Sequence, residues 1–260
     1  MTAARQDALL DRALSADLLD LALAVAQDGS PWATKRRLLG VALRDVVSAQ
    51  ESEGKTKKCL TRVWINPPVA AQRSIGWATE AAGGSRDRRF WHVGAVLATY
   101  PFVGSVAATI GRALALDGQV DTRLVRRKAC EQWGDRSSVD VAARKVYTTF
   151  LRLGILQGGG HAALTAGERL TGDGPAAVWL IHALLLTRRA ESVDEASLST
   201  APELFWVDVP AKASGDYPWL AQHREGTHRT VWVDRGRAVQ PAELSQFVNG
   251  APPLWPSGAT

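Results

Sequence analysis

Apolar residues recur at helical spacing through the first hundred positions. Leu9, Leu10, Ala13, Leu14, Leu18, Leu21, Ala22 and Val25 predict a first helix, which Gly29-Ser30-Pro31 stops. A second helix is predicted over about 33–50, with Leu38, Leu39, Val41, Ala42, Val46 and Val47 inward and Lys35, Arg36, Arg37 and Arg44 largely outward. The acidic, glycine-bearing stretch 51–54 breaks that pattern. Further helices are expected over 55–64, 69–82 and 90–99, separated by Pro67-Pro68 and Gly83-Gly84-Ser85.

Residues 91–111 hold no Lys, Arg, Asp or Glu, a length sufficient to cross a bilayer. His92, Gly94, Gly104 and Ser105 within the run, and Pro101 near its centre, instead predict two buried helices that meet at Tyr100-Pro101. The later apolar run 176–186 is too short for a span and reads as a core helix. Residues 204–209 and 228–233 are the strand candidates and are expected to pair with each other. The tail from Gly250, with Pro252, Pro253 and Pro256, is expected to be irregular.

The order of elements is clearest over 102–165. Val103, Val106, Ile110, Ala113 and Leu114 mark a helix that Asp117-Gly118 ends. Asp121 is placed to cap a second, in which Val125, Ala129 and Trp133 stack at four-residue spacing, and Gly134 suits its C-terminal left-handed position. Gly134, Asp135 and Arg136 suffice to turn the chain. Ser137, with Asp140 three positions on, predicts a capping box that opens a third helix. From Val139, an advance of 100° per residue puts Ala142, Ala143, Val146, Tyr147, Phe150 and Leu153 on one apolar face. Arg144, Lys145, Thr148 and Arg152, with Val141 among them, fall opposite. Leu153-Gly154-Ile155-Leu156, Gln157, three glycines and His161-Ala162-Ala163-Leu164-Thr165 then predict two short strands about a glycine turn.

The formal net charge of +5 is unevenly spread. Residues 35–89 and 121–152 are net basic, whereas 1–34 and 190–260 are net acidic. Such a pattern suits a polyanion held by the middle of the chain. On the outward face of the third helix, cations can meet phosphates or guanine edges, hydroxyls can meet either, and Val141 can pack on a thymine methyl. Arg123, Arg126, Arg127 and Lys128 on the preceding helix are placed to grip the backbone beside it.

Three helices, a tight turn between the last two, and strands about glycines resemble the winged helix-turn-helix superfamily, whose recognition helix commonly runs into a glycine and a short apolar strand before a glycine-rich wing. The resemblance implies duplex-DNA binding through Arg123, Arg126, Arg127, Lys128, Arg136, Ser137, Ser138, Val141, Arg144, Lys145, Thr148, Arg152, Gln157 and His161. The wing tip, 157–161, has no Lys or Arg, which limits contact there to Gln157, His161 or backbone amides. The expected fold is mainly α: a helical N-terminal domain (1–100), the winged helix-turn-helix (101–172) and a small α+β C-terminal region (173–260). A transcription regulator is the commonest employment of such a module. The mid-chain position also resembles the accessory DNA-binding proteins of bacterial phage-defence systems such as BREX. The alternative is a protein-interaction subunit whose winged helix contacts other subunits of an assembly.

No catalytic centre is recognisable, so a non-enzymatic protein without cofactor or metal is expected. His92, His161, His182, His223 and His228 form no close ligand pair, and the nearest cluster, His223, Glu225 and His228, reads as surface. Cys59 follows Lys57-Lys58, which would lower its thiol pKa, but it has no placed histidine partner. Gly158-Gly159-Gly160 lacks the Gly-Lys-Ser/Thr of a phosphate loop. Two distant cysteines and an N-terminus that moves straight into an amphipathic pattern lead to an expected cytoplasmic setting, away from the membrane. The scattered tryptophans are expected to anchor core contacts.

Overall fold

The computed structural model describes residues 9–47, 50–85, 87–159, 163–171, 174–208 and 220–233. These are mainly helical, with three small sheets. The first helix, α1 (Ala16–Gln27), starts later than its apolar spacing predicts. The Ser15 hydroxyl caps it by accepting from the Leu18 amide, and Leu10 and Leu14 are buried from the non-helical segment before it. α2 (Trp32–Arg44) ends earlier than predicted, and the stretch 51–54 lies inside a helix, α3 (Gln50–Leu60), rather than breaking one. A helical glycine costs only about 1 kcal/mol relative to alanine, which the burial of Thr56, Cys59 and Leu60 outweighs. α3 runs into a π-helical turn, Thr61–Ile65, that buries Val63 and Trp64 ahead of Pro67-Pro68. A 3-10 turn, Val69–Ala71, leads into α4 (Gln72–Gly83).

The charge-free run divides where its proline predicts. α5 (Arg89–Thr99) and α6 (Pro101–Asp117) meet at Tyr100 with a bend of 116°. Among the described residues no single helix is long and apolar enough to cross a membrane. Gly118, at φ +67°, ends α6. A strand that the sequence did not announce, β1 (Gln119–Val120), precedes α7 (Thr122–Trp133) and α8 (Ser137–Arg152). β2 (Leu156–Gln157) and β3 (Leu164–Ala166) follow, and the three strands pair antiparallel in the order β1-β3-β2.

The expected pairing of 204–209 with 228–233 does not form. Pro202–Leu204 is a 3-10 turn, and only β6 (Val207–Asp208) is a strand, running parallel to β4 (Leu170–Thr171). Its backbone is already engaged: the Leu170 amide donates to the Trp206 carbonyl at 2.9 Å and Arg169 Nη2 to the Val207 carbonyl at 2.7 Å. β8 (His228–Val233) lies instead between β5 (Ser192–Asp194) and β7 (Leu220–Glu225), reached through the local turn at Gly226.

α9 (Gly174–Arg188), the core helix that its apolar run predicts, packs on α5 and α6. Gly94 lies against the Trp179 ring, Gly104 against Thr187 and Gly111 against the Pro202 carbonyl, each so close that a Cβ would collide. The Thr187 hydroxyl donates to the Leu97 carbonyl at 2.7 Å, and Trp179 Nε1 to the Ser74 carbonyl at 2.8 Å. Phe90, Trp91, Trp179 and Trp206 pack ring against ring around this contact. Buried side chains from Leu10 to Val231, drawn from all three expected regions, form one cluster.

Candidate nucleic-acid interface

Asp121 caps α7, its carboxylate accepting from the Arg123 amide at 2.8 Å. α7 buries Val125 and Ala129 and sets Trp133 edge-on to Phe102, with Nε1 donating to the Ser105 hydroxyl at 2.8 Å. Gly134 has φ +100° and ψ 142°, an extended positive-φ conformation rather than the left-handed helical one expected. The capping box does not form either. Arg136 is the N-cap of α8, without a side-chain cap, and Ser137 is already helical. Asp140 is drawn across to α7 instead, accepting from Arg126 Nε and from Arg126 Nη2, the latter at 2.9 Å. The guanidinium offers Asp140 two charge-assisted hydrogen bonds where a capping box offers one, and this hydrogen bonding raises the Arg126 pKa.

α8 buries Val139, Ala142, Ala143, Val146, Phe150 and Leu153, the face that its periodicity predicts, with Tyr147 half-buried. Arg136, Ser137, Ser138, Arg144 and Arg152 are exposed, Val141 is 46% exposed, and Lys145 and Thr148 are half-buried. Several cations are less free than an outward projection suggests. Arg144 Nη2 lies 3.7 Å from Asp140, Lys128 Nζ 2.7 Å and Arg127 Nε 3.7 Å from Glu131, whose pKa the Lys128 hydrogen bond lowers. Arg136 Nη2 donates to the Trp133 carbonyl at 3.3 Å. Arg123 and Lys145 have no side-chain partner among the described residues.

Arg152 has a different role from the one its projection predicts. Its Nη1 donates to the Ala13 carbonyl at 3.0 Å, and the Leu14 amide donates to the neighbouring Thr149 hydroxyl at 3.0 Å. The segment before α1 therefore lies along the C-terminal half of α8 and leaves its N-terminal half open. No periodicity within α8 carries a contact with residues so distant in sequence. Gln157 is exposed on β2 opposite Thr165, and Gly158 and Gly159 turn the chain at φ +93° and +120°. His161 lies outside the described residues.

Between α7 and α8 lies an open concavity lined by Arg123, Arg126, Arg127, Cys130, Glu131, Asp135 and Asp140. Alternating signs suit a surface that meets charged groups, and desolvation, with the nearby Asp135 and Asp140 carboxylates, raises the Cys130 thiol pKa. The Cys59 thiol departs from expectation: it is buried, and that burial raises its pKa in spite of Lys57-Lys58. His223, Glu225 and His228 are exposed on the β7–β8 hairpin. No family model, no curated protein and no solved structure matches this chain.

Proposed function

We propose that this chain binds duplex DNA through a winged helix-turn-helix composed of α6, β1, α7, α8, β2 and β3, with the N-terminal half of α8 in the major groove. The observation that carries the reading is the sheet β1-β3-β2, whose first strand comes from between α6 and α7 and whose other two follow α8. In this reading Arg144, Lys145, Ser137, Ser138 and Val141 face the groove, and Arg123, Arg127 and Arg136 meet the phosphates beside it. The activity is binding without catalysis, as a transcription regulator or as an accessory subunit of a DNA-targeting or defence assembly.

Fluorescence anisotropy with a mixed-sequence duplex tests this. Affinity is expected to fall steeply as salt rises. Arg144→Ala with Lys145→Ala is expected to cost about 1–3 kcal/mol of affinity with the melting temperature unchanged. Phe150→Ala, which removes a buried ring, is expected to cost about 3–5 kcal/mol of stability. Unchanged affinity in the folded double variant would favour a second reading, contact with a protein. The ion pairs of Asp140 and Glu131 and the half-exposed Val141 support that alternative.

A further inference from the structure

Four cations converge on one glycine of α2. At 100° per residue Arg36, Arg37 and Arg44 fall about 40°, 60° and 40° around the helix from Gly40, on one face of α2. The Lys57 side chain reaches over from α3 to the same point, so that a Cβ on Gly40 would collide with its ammonium. The three arginines are exposed and Lys57 is half-buried. None of the four has a hydrogen bond or ion pair among the described residues. Glu53 stands four residues before Lys57 on α3, yet the ammonium lies over Gly40 instead. Asp45 falls about 140° around the helix from Gly40 at 100° per residue.

α2 holds no acid to offset the three arginines. The contrast with α7 and α8 is direct, because there Glu131 and Asp140 separate the cations. An exposed basic face of this kind attracts an anion. From Arg36 to Arg44 the helix rises about 12 Å, over which one DNA strand presents about three phosphates. Arg152, at the C-terminal end of α8, holds the Ala13 carbonyl, and Asp11, two residues away, lies 3.4 Å from Lys58 beside Lys57, so the segment before α1 joins that end of α8 to α3.

We propose that the cluster of Arg36, Arg37, Arg44 and Lys57 around Gly40 is a second DNA contact, taking backbone phosphates of the duplex that meets α8. The identity of the polyanion rests on the reading of α8; the cluster does not. Salt titrations with the mixed-sequence duplex compare the full chain with the triple variant Arg36→Ala, Arg37→Ala, Arg44→Ala and with Gly40→Ala. The triple variant is expected to weaken binding about tenfold or more and to lower the log–log salt slope by about two to three, at about 0.9 per phosphate contact. Gly40→Ala displaces the Lys57 ammonium while favouring the helix, so it should weaken binding with a melting temperature that is unchanged or raised, which misfolding cannot imitate. Unchanged affinity and slope in both variants overturn the proposal. If the α8 double variant still weakens binding, the α8 reading survives that failure; if the α2 variants weaken binding and the α8 variant does not, the α8 reading fails and the cluster stands. DNA binding left intact by the α2 variants, together with loss of sedimentation on vesicles of anionic phospholipid, would assign the cluster to a membrane surface and overturn the proposal.

Discussion

The Leu14 amide donates to the Thr149 hydroxyl at 3.0 Å in a buried contact between residues 135 positions apart. The same hydroxyl donates to the Lys145 carbonyl at 2.8 Å, so both of its roles are filled. One side chain thus fastens the segment before α1 to the helix that carries the proposed groove-facing residues.

Thr149→Val keeps the shape of the side chain and leaves the Leu14 N–H buried without an acceptor. The expected loss is about 1–3 kcal/mol of unfolding free energy, read by urea titration, with Thr149→Ser recovering most of it. A Val variant as stable as the parent would mean that this bond does not set the docking of the segment.

Two glycines with opposite surroundings should respond oppositely to alanine. At Gly111 the added Cβ meets the Pro202 backbone carbonyl, which cannot swing aside as a side chain would. A loss of about 1–3 kcal/mol is expected. At Gly76, in α4, a Cβ meets nothing within 4 Å, so Gly76→Ala should gain about 0.5–1 kcal/mol from helix propensity. Thermal melts should therefore shift in opposite directions; a shared direction would refute the packing assigned to one of the two sites.

His92 is buried between the Trp64 ring and Asp20, with its Nε2 3.2 Å from the carboxylate. Loss of solvation outweighs the attraction of Asp20, which also pairs with Arg88 at 3.1 Å, and the imidazole pKa falls to about 4. The neutral ring donates from Nε2 to Asp20 and leaves Nδ1 without a partner among the described residues. Because the unfolded chain takes up this proton near pH 6.5 and the folded chain only near pH 4, stability should fall as pH drops between those values. The His92 share of that fall is at most about 3 kcal/mol. Urea titrations of the parent and of His92→Gln across this window should diverge as pH falls, the parent losing more. Parallel curves would mean that His92 is not held neutral.

Local rules carried much of this fold. Asp121 caps as its chemistry dictates, Pro101 divides the apolar run, and the buried face of α8 is the one that its periodicity marks. What was not legible depended on partners far along the chain. β1 is two residues long and exists because β3 pairs with it. Gly94 and Gly104 counted in the sequence only against a membrane span, yet they and Gly111 are the places where α9 and Pro202 come close. Within the candidate site, spacing found the outward cations, but it assigned Asp140 to a cap and Arg152 to open surface. Only tertiary structure brings Arg126 and Ala13 to them.

Asp140 is the residue through which the interface can be tuned. Its carboxylate engages Arg126 at 2.9 Å and approaches Arg144 at 3.7 Å, so one negative charge restrains two guanidinium groups on the face proposed to meet DNA. The pair with Arg126 is partly exposed and is worth about 1 kcal/mol or less, hence Asp140→Asn should move the melting temperature little. Against phosphates it removes a repulsive charge and releases both arginines. Affinity for a mixed-sequence duplex should rise about threefold to tenfold at low salt, and the gain should shrink as salt screens it. Anisotropy titrations at several salt concentrations would show this. Unchanged affinity would mean that this face does not meet phosphates. A loss of affinity at unchanged stability would mean that Asp140 holds Arg126 and Arg144 in their binding positions.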